Sequence, residues 1–435
     1  MKKPAYYEQV EGKETAFSVA GSSMKYGPNV LEELGGDAEF FGIKRAAFFV
    51  DEKIKDTEPF AVAVDSLKKS GIDVVPYTDI KVEPTDRSFI AAAEFAKDGK
   101  FDGFISLGGG STMDTCKAAN LYATHPDDFL AYVNLPFGQL KPVPGPLMPH
   151  IACPTTSGTG SEITGVCVMD LVDEKVKTAI SNKFLKPSLA VVDPLTTNSM
   201  PAGVIAATGF DVLTHAIESF TARPYTSRDR VAHPSLRPAF QGANPFSDVG
   251  SLEAIRLGGK YLVAAVNEPD NHEARYKLMF AATLAGMSFG NAGVHLPHAM
   301  SYSVAGLKHD WVAKGYENDN PMVPHGIAVV VNAPAAFRFT APAAPERHMQ
   351  AAEALGADVS GASLDDAGEI LAARLIEMMK ATGLPNGLKD IGYSEDDLPG
   401  LVKGGYAQPR LLVIAPRETT EADMEAMYKD AMRHW

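Results

Sequence analysis

A parallel α/β domain over residues 1–200 followed by an all-α domain over residues 201–435 is the architecture this sequence predicts, and three observations predict it. Short apolar runs alternate with helix-patterned stretches from Arg45 to Val192, the rhythm of parallel strands joined by crossover helices. Strand signals stop after Pro201, where segments rich in Ala, Leu and Met take over. A chain of 435 residues also exceeds what one hydrophobic core usually serves.

In chain order, residues 45–50 (Arg-Ala-Ala-Phe-Phe-Val) read as a strand ending on Asp51, residues 60–67 as a helix closed near Gly71, and residues 72–77 as a second strand. Thr85 caps a helix through Phe95, and residues 102–107 form a third strand. Gly108-Gly109-Gly110-Ser111 then leads into a helix over 112–122, with Ser111 as N-cap and Asp114 three residues on. Residues 150–154 are a strand running into Thr155-Thr156-Ser157-Gly158-Thr159-Gly160-Ser161-Glu162. Residues 166–169 and 175–180 look like a hairpin across Asp173-Glu174, and residues 189–192 are the last strand. Helices are expected over 203–220, 252–266, 274–287 and 364–379, with capping boxes at Ser363/Asp366 and Thr420/Asp423.

A hydrophobic content of 45% with 22% charged residues is that of an ordinary globular chain, and the net charge of −14 opposes nucleic acid or an anionic membrane as partner. Small molecules are the expected partners. No apolar run reaches the roughly 18 residues of a membrane span. Cys116, Cys153 and Cys167 are too scattered for a disulfide framework or a thiolate metal site, and read as small core residues of a reducing compartment. With no leader pattern at Met1–Lys13, the expected location is cytoplasmic. Chain length and a helical second domain permit a homodimer, although no heptad specifies one.

Two loops at strand ends carry the first chemical signal. Glycines followed by a helix start present open backbone N–H groups to a pyrophosphate, or else form only a tight turn; Met113 stands where a G-x-G-x-x-G would have its last glycine. The hydroxyl-rich loop from Thr155 lies at a strand's C-terminal edge, where open α/β sheets bind ligands, so together the loops suggest one extended nucleotide in a Rossmann-like domain. Asp51 is either a ribose acceptor that favours NAD over NADP or a solvated loop carboxylate. Lys177 is either a phosphate or ribose contact or a lysine facing water.

The second signal is Asp211 and His215, four residues apart in a run of helical composition and therefore on one face. His298, just after Pro297, and His325, between Pro324 and Gly326, could complete one carboxylate and three imidazoles, a set for Fe2+ or Zn2+ rather than Mg2+ or Ca2+. His233, His295 and His309 are spare, and His295 is near enough to His298 to be confused with it.

With these segments read, the chain resembles the iron-containing (group III) alcohol dehydrogenases over nearly its full length. The resemblance rests on Gly-Gly-Gly-Ser with Asp114, Pro-Thr-Thr-Ser-Gly-Thr-Gly-Ser-Glu, and Gly-Phe-Asp-x-x-x-His-Ala-x-Glu. It extends to Gly290-Asn291-Ala292-Gly293 leading to His298-Ala299-Met300, and to Pro324-His325-Gly326. It implies Asp211, His215, His298 and His325 as metal ligands, with Fe2+ ahead of Zn2+, and an NAD cofactor. The implied cofactor contacts are Gly109, Gly110, Ser111, Asp114, Thr155, Thr156, Thr159 and Lys177, with Asp51 near the adenosine ribose. Many members use a second histidine four residues after the third ligand in proton relay; this chain has Tyr302 there, so the relay is either lost or passes to the phenol, and Tyr302 joins the four ligands as an expected catalytic residue.

A second departure is the long segment 223–248 with Arg223, Arg228, Arg230 and Arg237, which reads as capture of a substrate carboxylate or as a solvated loop. With Arg237-Pro238-Ala239-Phe240-Gln241-Gly242 it resembles the hydroxyacid-oxoacid transhydrogenase branch. That branch implies hydride transfer from a 4-hydroxybutyrate-like hydroxyacid to a 2-oxoglutarate-like oxoacid; its eukaryotic members are mitochondrial, and with no presequence pattern at Met1–Lys13 a bacterial-type cytoplasmic homologue is expected. An NAD-dependent alcohol or hydroxybutyrate dehydrogenase that releases NADH is the alternative. A sugar-phosphate cyclase of the dehydroquinate synthase type shares the two-domain plan but needs a basic phosphate pocket not seen near the ligands, and a non-catalytic NAD or metal sensor is the remaining reading.

Overall fold

The computed structural model describes residues 6–174, 176–308, 310–316 and 321–435. The chain divides into two compact units, Gly21–Pro201 and a second formed by Met1–Ala20 with Ala202–Trp435.

The first unit is built on an all-parallel sheet of six strands in the order β1-β8-β5-β4-β2-β3. Its strands are β1 (Ser23–Tyr26), β2 (Arg45–Val50), β3 (Asp73–Tyr77), β4 (Gly103–Gly108), β5 (His150–Pro154) and β8 (Leu189–Val192). Helices α1 (Leu34–Phe40), α2 (Glu58–Lys69), α3 (Asp86–Asp98) and α4 (Gly110–Thr124) connect them. Side chains alternate across a strand, so β2 feeds two cores: Phe48 and Val50 pack with Leu34, Leu67 and Ile105, while Ala47 and Phe49 pack with Ala92, Phe104 and Cys116. A strand covered on both faces needs a continuous apolar run, which is why β2 and β4 were legible. The edge strand β1, with the sequence Ser-Met-Lys-Tyr, was not anticipated because it has no such run. Strands β6 (Val166–Leu171) and β7 (Val176–Ser181) form a separate antiparallel pair, longer on the first strand than expected; the predicted start at Lys175 lies outside the described residues.

The second unit is helical: α5 (Ala202–Thr221), α6 (Pro245–Asn267), α7 (His272–Ala292), α8 (Leu296–Leu307), α9 (His325–Val330), α10 (Ala333–Thr340), α11 (Pro345–Ala354), α12 (Ala367–Thr382), α13 (Leu398–Tyr406), α14 (Pro409–Leu412) and α15 (Glu421–Asp430). Both predicted capping boxes are present. A β-carbon at Gly209 would lie 2.3 Å from Leu262 Cδ1, and one at Gly258 2.4 Å from Leu213 Cδ2, so glycines let α5 and α6 approach closely. The first twenty residues were assigned to the sheet domain, yet they group with the helices. Glu14 N–H donates to Arg228 O (2.8 Å), Ser18 N–H to Gln241 Oε1 (2.9 Å) and Ala20 N–H to Asn291 Oδ1 (2.9 Å). No described helix is long and apolar enough to cross a membrane.

Candidate active site

Helix α5 is buried along its whole second half, residues 209–221 included, so Asp211 and His215 project from one face into the interior of the helical unit. The chain leaves α7 through Gly293, whose φ of +96° suits glycine, and enters α8 with Pro297 in its first turn, placing His298 one residue later. His325 opens α9. The next residue explains its position: a β-carbon on Gly326 would lie 1.9 Å from the Ala207 carbonyl oxygen and 3.1 Å from Asp211 Cβ, so α9 starts in backbone contact with α5.

These elements converge on one atom. Asp211 Oδ1 lies 3.4 Å from His298 Nε2, 3.8 Å from His325 Nε2 and 3.8 Å from His215 Nε2. Donor atoms of Asp211, His298 and His325 fall within 4.8 Å of one another; His215 is the looser fourth, its ring stacked between Phe289 (4.0 Å) and His298 (4.4 Å). Neither Asp211 Oδ1 nor His298 Nε2 makes a hydrogen bond, although both are buried. Orphaned buried donors and acceptors facing each other are what a cation would satisfy, and one carboxylate with three imidazoles fits a divalent transition metal. The His325 side chain is 24% exposed where the other three are nearly covered, so the cluster opens to ligands on that side.

The electrostatics are set by burial and by the pairing. Burial lowers His215 to about 3, keeping it neutral and able to ligate. Burial also acts against charge on His298, but the Glu218 and Asp211 carboxylates outweigh it and raise its pKa. Burial alone would raise Asp211, yet the surrounding imidazoles hold it well below the usual carboxylate range.

Glu218, noted in sequence only as part of a motif, has a definite task. Fully buried, it accepts from the backbone N–H of His295 (2.8 Å) and of His298 (3.2 Å), and its second oxygen pairs with His298 Nδ1. A carboxylate on the far nitrogen fixes the tautomer and turns Nε2 toward Asp211. Replacing Glu218 with Gln is therefore expected to weaken metal affinity by about 10- to 100-fold, measured by competition with a chelator. Unchanged affinity would mean that the carboxylate only braces the α8 backbone. The spare His295 turns instead to Thr221 Oγ1 (3.1 Å), and His309 lies outside the described residues.

In the sheet unit, Gly108 of β4 is in register with Pro154 of β5, so the glycine turn and the threonine loop leave the sheet side by side. A β-carbon on Gly109 would lie 3.2 Å from Thr156 Cγ2, and one on Gly110 2.6 Å from Thr159 Cγ2. Only glycine leaves this cradle open beneath the α4 N-terminus. The helix begins earlier than expected, with Gly109 and not Ser111 as its cap; Ser111 Oγ accepts from Glu83 N–H (3.2 Å). Thr155 is buried against Gly108, and Asp51 at the end of β2 accepts from Lys53 N–H (2.8 Å).

Two expected cofactor contacts are engaged elsewhere. Asp114 accepts from Val168 N–H (2.9 Å) and from Ser161 Oγ (2.5 Å), tying α4 to β6, with the buried Lys117 beside it at 3.6 Å. Lys177 is buried and paired with Glu83 (2.7 Å) and Asp170 (3.0 Å), so it does not face water. In the helical unit Arg237 is bound by both oxygens of Glu14, Arg230 is exposed, and Arg228 is buried with one long hydrogen bond to Gln241 O (3.4 Å). Glu14 neutralises Arg237, and solvent weakens any hold of Arg230 on a carboxylate, which leaves Arg228 and the part-buried Arg223, whose Nε has no hydrogen-bond partner among the described residues, as the remaining candidates of that segment.

Comparison with known proteins places the chain in a family. Residues 22–194 match the family model described as iron-containing alcohol dehydrogenase, and residues 239–432 the one described as Fe-containing alcohol dehydrogenase family, C-terminal. The mitochondrial hydroxyacid-oxoacid transhydrogenase of Rattus norvegicus is 49% identical over 426 residues, 97% of this chain and 91% of the relative. Among solved structures, the alcohol dehydrogenase from Oenococcus oeni has a TM-score of 0.83 at 28% identity, covering 96% of this chain and 100% of that one. The sulfoacetaldehyde reductase from Bifidobacterium kashiwanohense, in complex with NAD+, has a TM-score of 0.78 at 27% identity over 96% and 99%. The relatives from rat, mouse and cattle are named mitochondrial, which overturns the expected bacterial-type cytoplasmic location.

Proposed function

The chain belongs to the iron-containing alcohol dehydrogenase family, and from that premise we propose that it moves a hydride from a 4-hydroxybutyrate-like hydroxyacid, through NAD, to a 2-oxoglutarate-like oxoacid. It is an oxidoreductase. The observation that carries the reading is the convergence of His215, His298 and His325 on the single buried oxygen of Asp211, in a chain half identical to proteins named for hydroxyacid-oxoacid transhydrogenation.

Asp211, His215, His298 and His325 hold a divalent cation, Fe2+ in this reading with Zn2+ the rival, and elemental analysis of protein purified without chelator separates the two. When bound, such a cation polarises a hydroxyl oxygen and lowers the cost of removing its proton. Glu218 keeps the His298 ring aimed, and Phe289 covers the His215 face and excludes water from it. Gly109, Gly110, Ser111, Thr155, Thr156 and Thr159 cradle the phosphates of NAD, which serves as hydride carrier, and Asp51 is placed to accept from its ribose. Asp114 and Lys177 act one step back, holding the loops and the hairpin.

Transhydrogenation requires that the reduced cofactor stay bound until the oxoacid arrives. Purified protein mixed with 4-hydroxybutyrate and 2-oxoglutarate, with no NAD added, is expected to accumulate 2-hydroxyglutarate. Absence of that product, together with steady NADH formation when NAD is supplied, would replace this reading with a dehydrogenase that releases NADH.

A further inference from the structure

Tyr302 and the residue it binds point to how a carboxylated substrate is recognised. Tyr302 follows His298 by four residues on α8, so both side chains leave the same face, roughly 6 Å apart along the axis. The ring is buried, and its Oη accepts from Arg410 Nη2 at 2.5 Å while the Arg410 guanidinium carbon stands 5.4 Å from the ring centroid. Arg410 belongs to the four-residue α14, whose Leu411 is packed with Phe289, Val294, Ala299 and Tyr302. The same Phe289 stacks on His215, so one buried apolar cluster links the His215 ring to Tyr302 and to Leu411, the neighbour of Arg410.

Among the described residues no carboxylate pairs with Arg410. Arg237, Arg338, Arg347 and Arg374 each pair with a carboxylate, whereas Arg410, only partly exposed, has a phenol and an aromatic face as its partners among the described residues. A guanidinium carries five N–H donors in a fixed fork, and one hydrogen bond to a neutral phenol leaves a face able to take a carboxylate in bidentate fashion.

We propose that Arg410 receives the substrate carboxylate and that Tyr302, one helical turn from His298, is the positioning residue holding its guanidinium. The inference rests on the hydroxyacid reading above and names the group that makes the site prefer an acid over a plain alcohol. The substrate this arrangement takes is a hydroxyacid whose hydroxyl reaches the Asp211–His298 cluster while its carboxylate meets Arg410, the two ends being held by residues one turn apart on α8. Tyr302 thereby acts as an acceptor for Arg410 instead of the proton relay expected at its position.

The test uses the metal- and NAD-loaded enzyme and the variants Arg410→Met, Arg410→Lys, Tyr302→Phe and Arg228→Met. Arg410→Met is expected to raise KM for 4-hydroxybutyrate about a hundredfold or more, and to lower the kcat/KM ratio of 4-hydroxybutyrate to 1-butanol by a similar factor. Arg410→Lys recovers part of that loss, and Tyr302→Phe moves the same ratio by about tenfold, in KM and not in kcat. Calorimetric binding of butyrate, which has the carboxylate but no hydroxyl, should weaken in parallel. An equal loss on acid and alcohol, or a collapse of the ratio in Arg228→Met instead, overturns the assignment. If wild-type protein binds butyrate through Arg410 but fails to oxidise the hydroxyacid, the activity reading falls and the anion site stands; if wild-type protein binds no butyrate, the anion site falls.

Discussion

Replacing Asp211 with Asn is expected to yield a folded protein without bound metal, its turnover lower by roughly a thousandfold or more, the equivalent of several kcal/mol of lost electrostatic stabilisation. The substitution keeps the size and shape of a side chain that is 2% exposed, so packing of α5 against α6, α7 and α9 is retained. What disappears is the one anion on which three imidazoles converge. An amide offers a neutral oxygen and no charge, and the remaining imidazoles would face a cation without compensation. Elemental analysis and steady-state rates check both halves of the expectation. Stoichiometric metal in the variant would remove Asp211 from the ligand set, and full activity without metal would remove the metal from the chemistry.

The second large effect is on stability. Lys177→Met is expected to destabilise the sheet unit by about 3–5 kcal/mol, because it removes the buried ammonium that pairs with two mostly buried carboxylates. Lys177 is 1% exposed at its side chain, and Glu83 and Asp170 are 20% and 17% exposed. Burial works against the ammonium, yet the two carboxylates raise its pKa overall, so the lysine is charged at all relevant pH and the pair is an ion pair throughout. Urea unfolding with and without NAD separates a scaffold role from a cofactor role. A scaffold lysine lowers the unfolding midpoint equally in both, whereas a lysine that touches the nucleotide also shrinks the stabilisation that NAD confers. A change below about 1 kcal/mol would show that the pair is dispensable.

Which parts of this molecule could be read from the sequence follows from how local their causes are. Strands β2, β4, β5 and β8 announce themselves because each is covered on both faces and is therefore mostly apolar. Asp211 and His215 are one helical turn apart, and His298 and His325 each follow or precede a proline at a helix start, so their candidacy needed only local pattern and a family motif. The tasks of Lys177, Asp114 and Arg410 were hidden, since each depends on a partner far away in sequence. Lys177 meets Glu83 across 94 residues, Asp114 meets Val168 across 54, and Arg410 meets Tyr302 across 108. No periodicity or spacing encodes such a pair; it exists only once the sheet and the helical bundle have formed. The N-terminal twenty residues escaped for the same reason, being held by Arg228, Gln241 and Asn291.

The main-chain contact at Gly326 also bears on ion size. Side-chain ligands can usually swing through their rotamers to suit a wider or narrower ion. Here the spacing between His325 and Asp211 is set by one helix backbone resting on another, with no room for even a methyl group between them. The main-chain part of the spacing between these two donors therefore cannot widen without lifting α9 off α5. If the four side chains hold a cation as proposed, donors that start from two touching backbones adapt to a change of ionic radius through side-chain rotation alone.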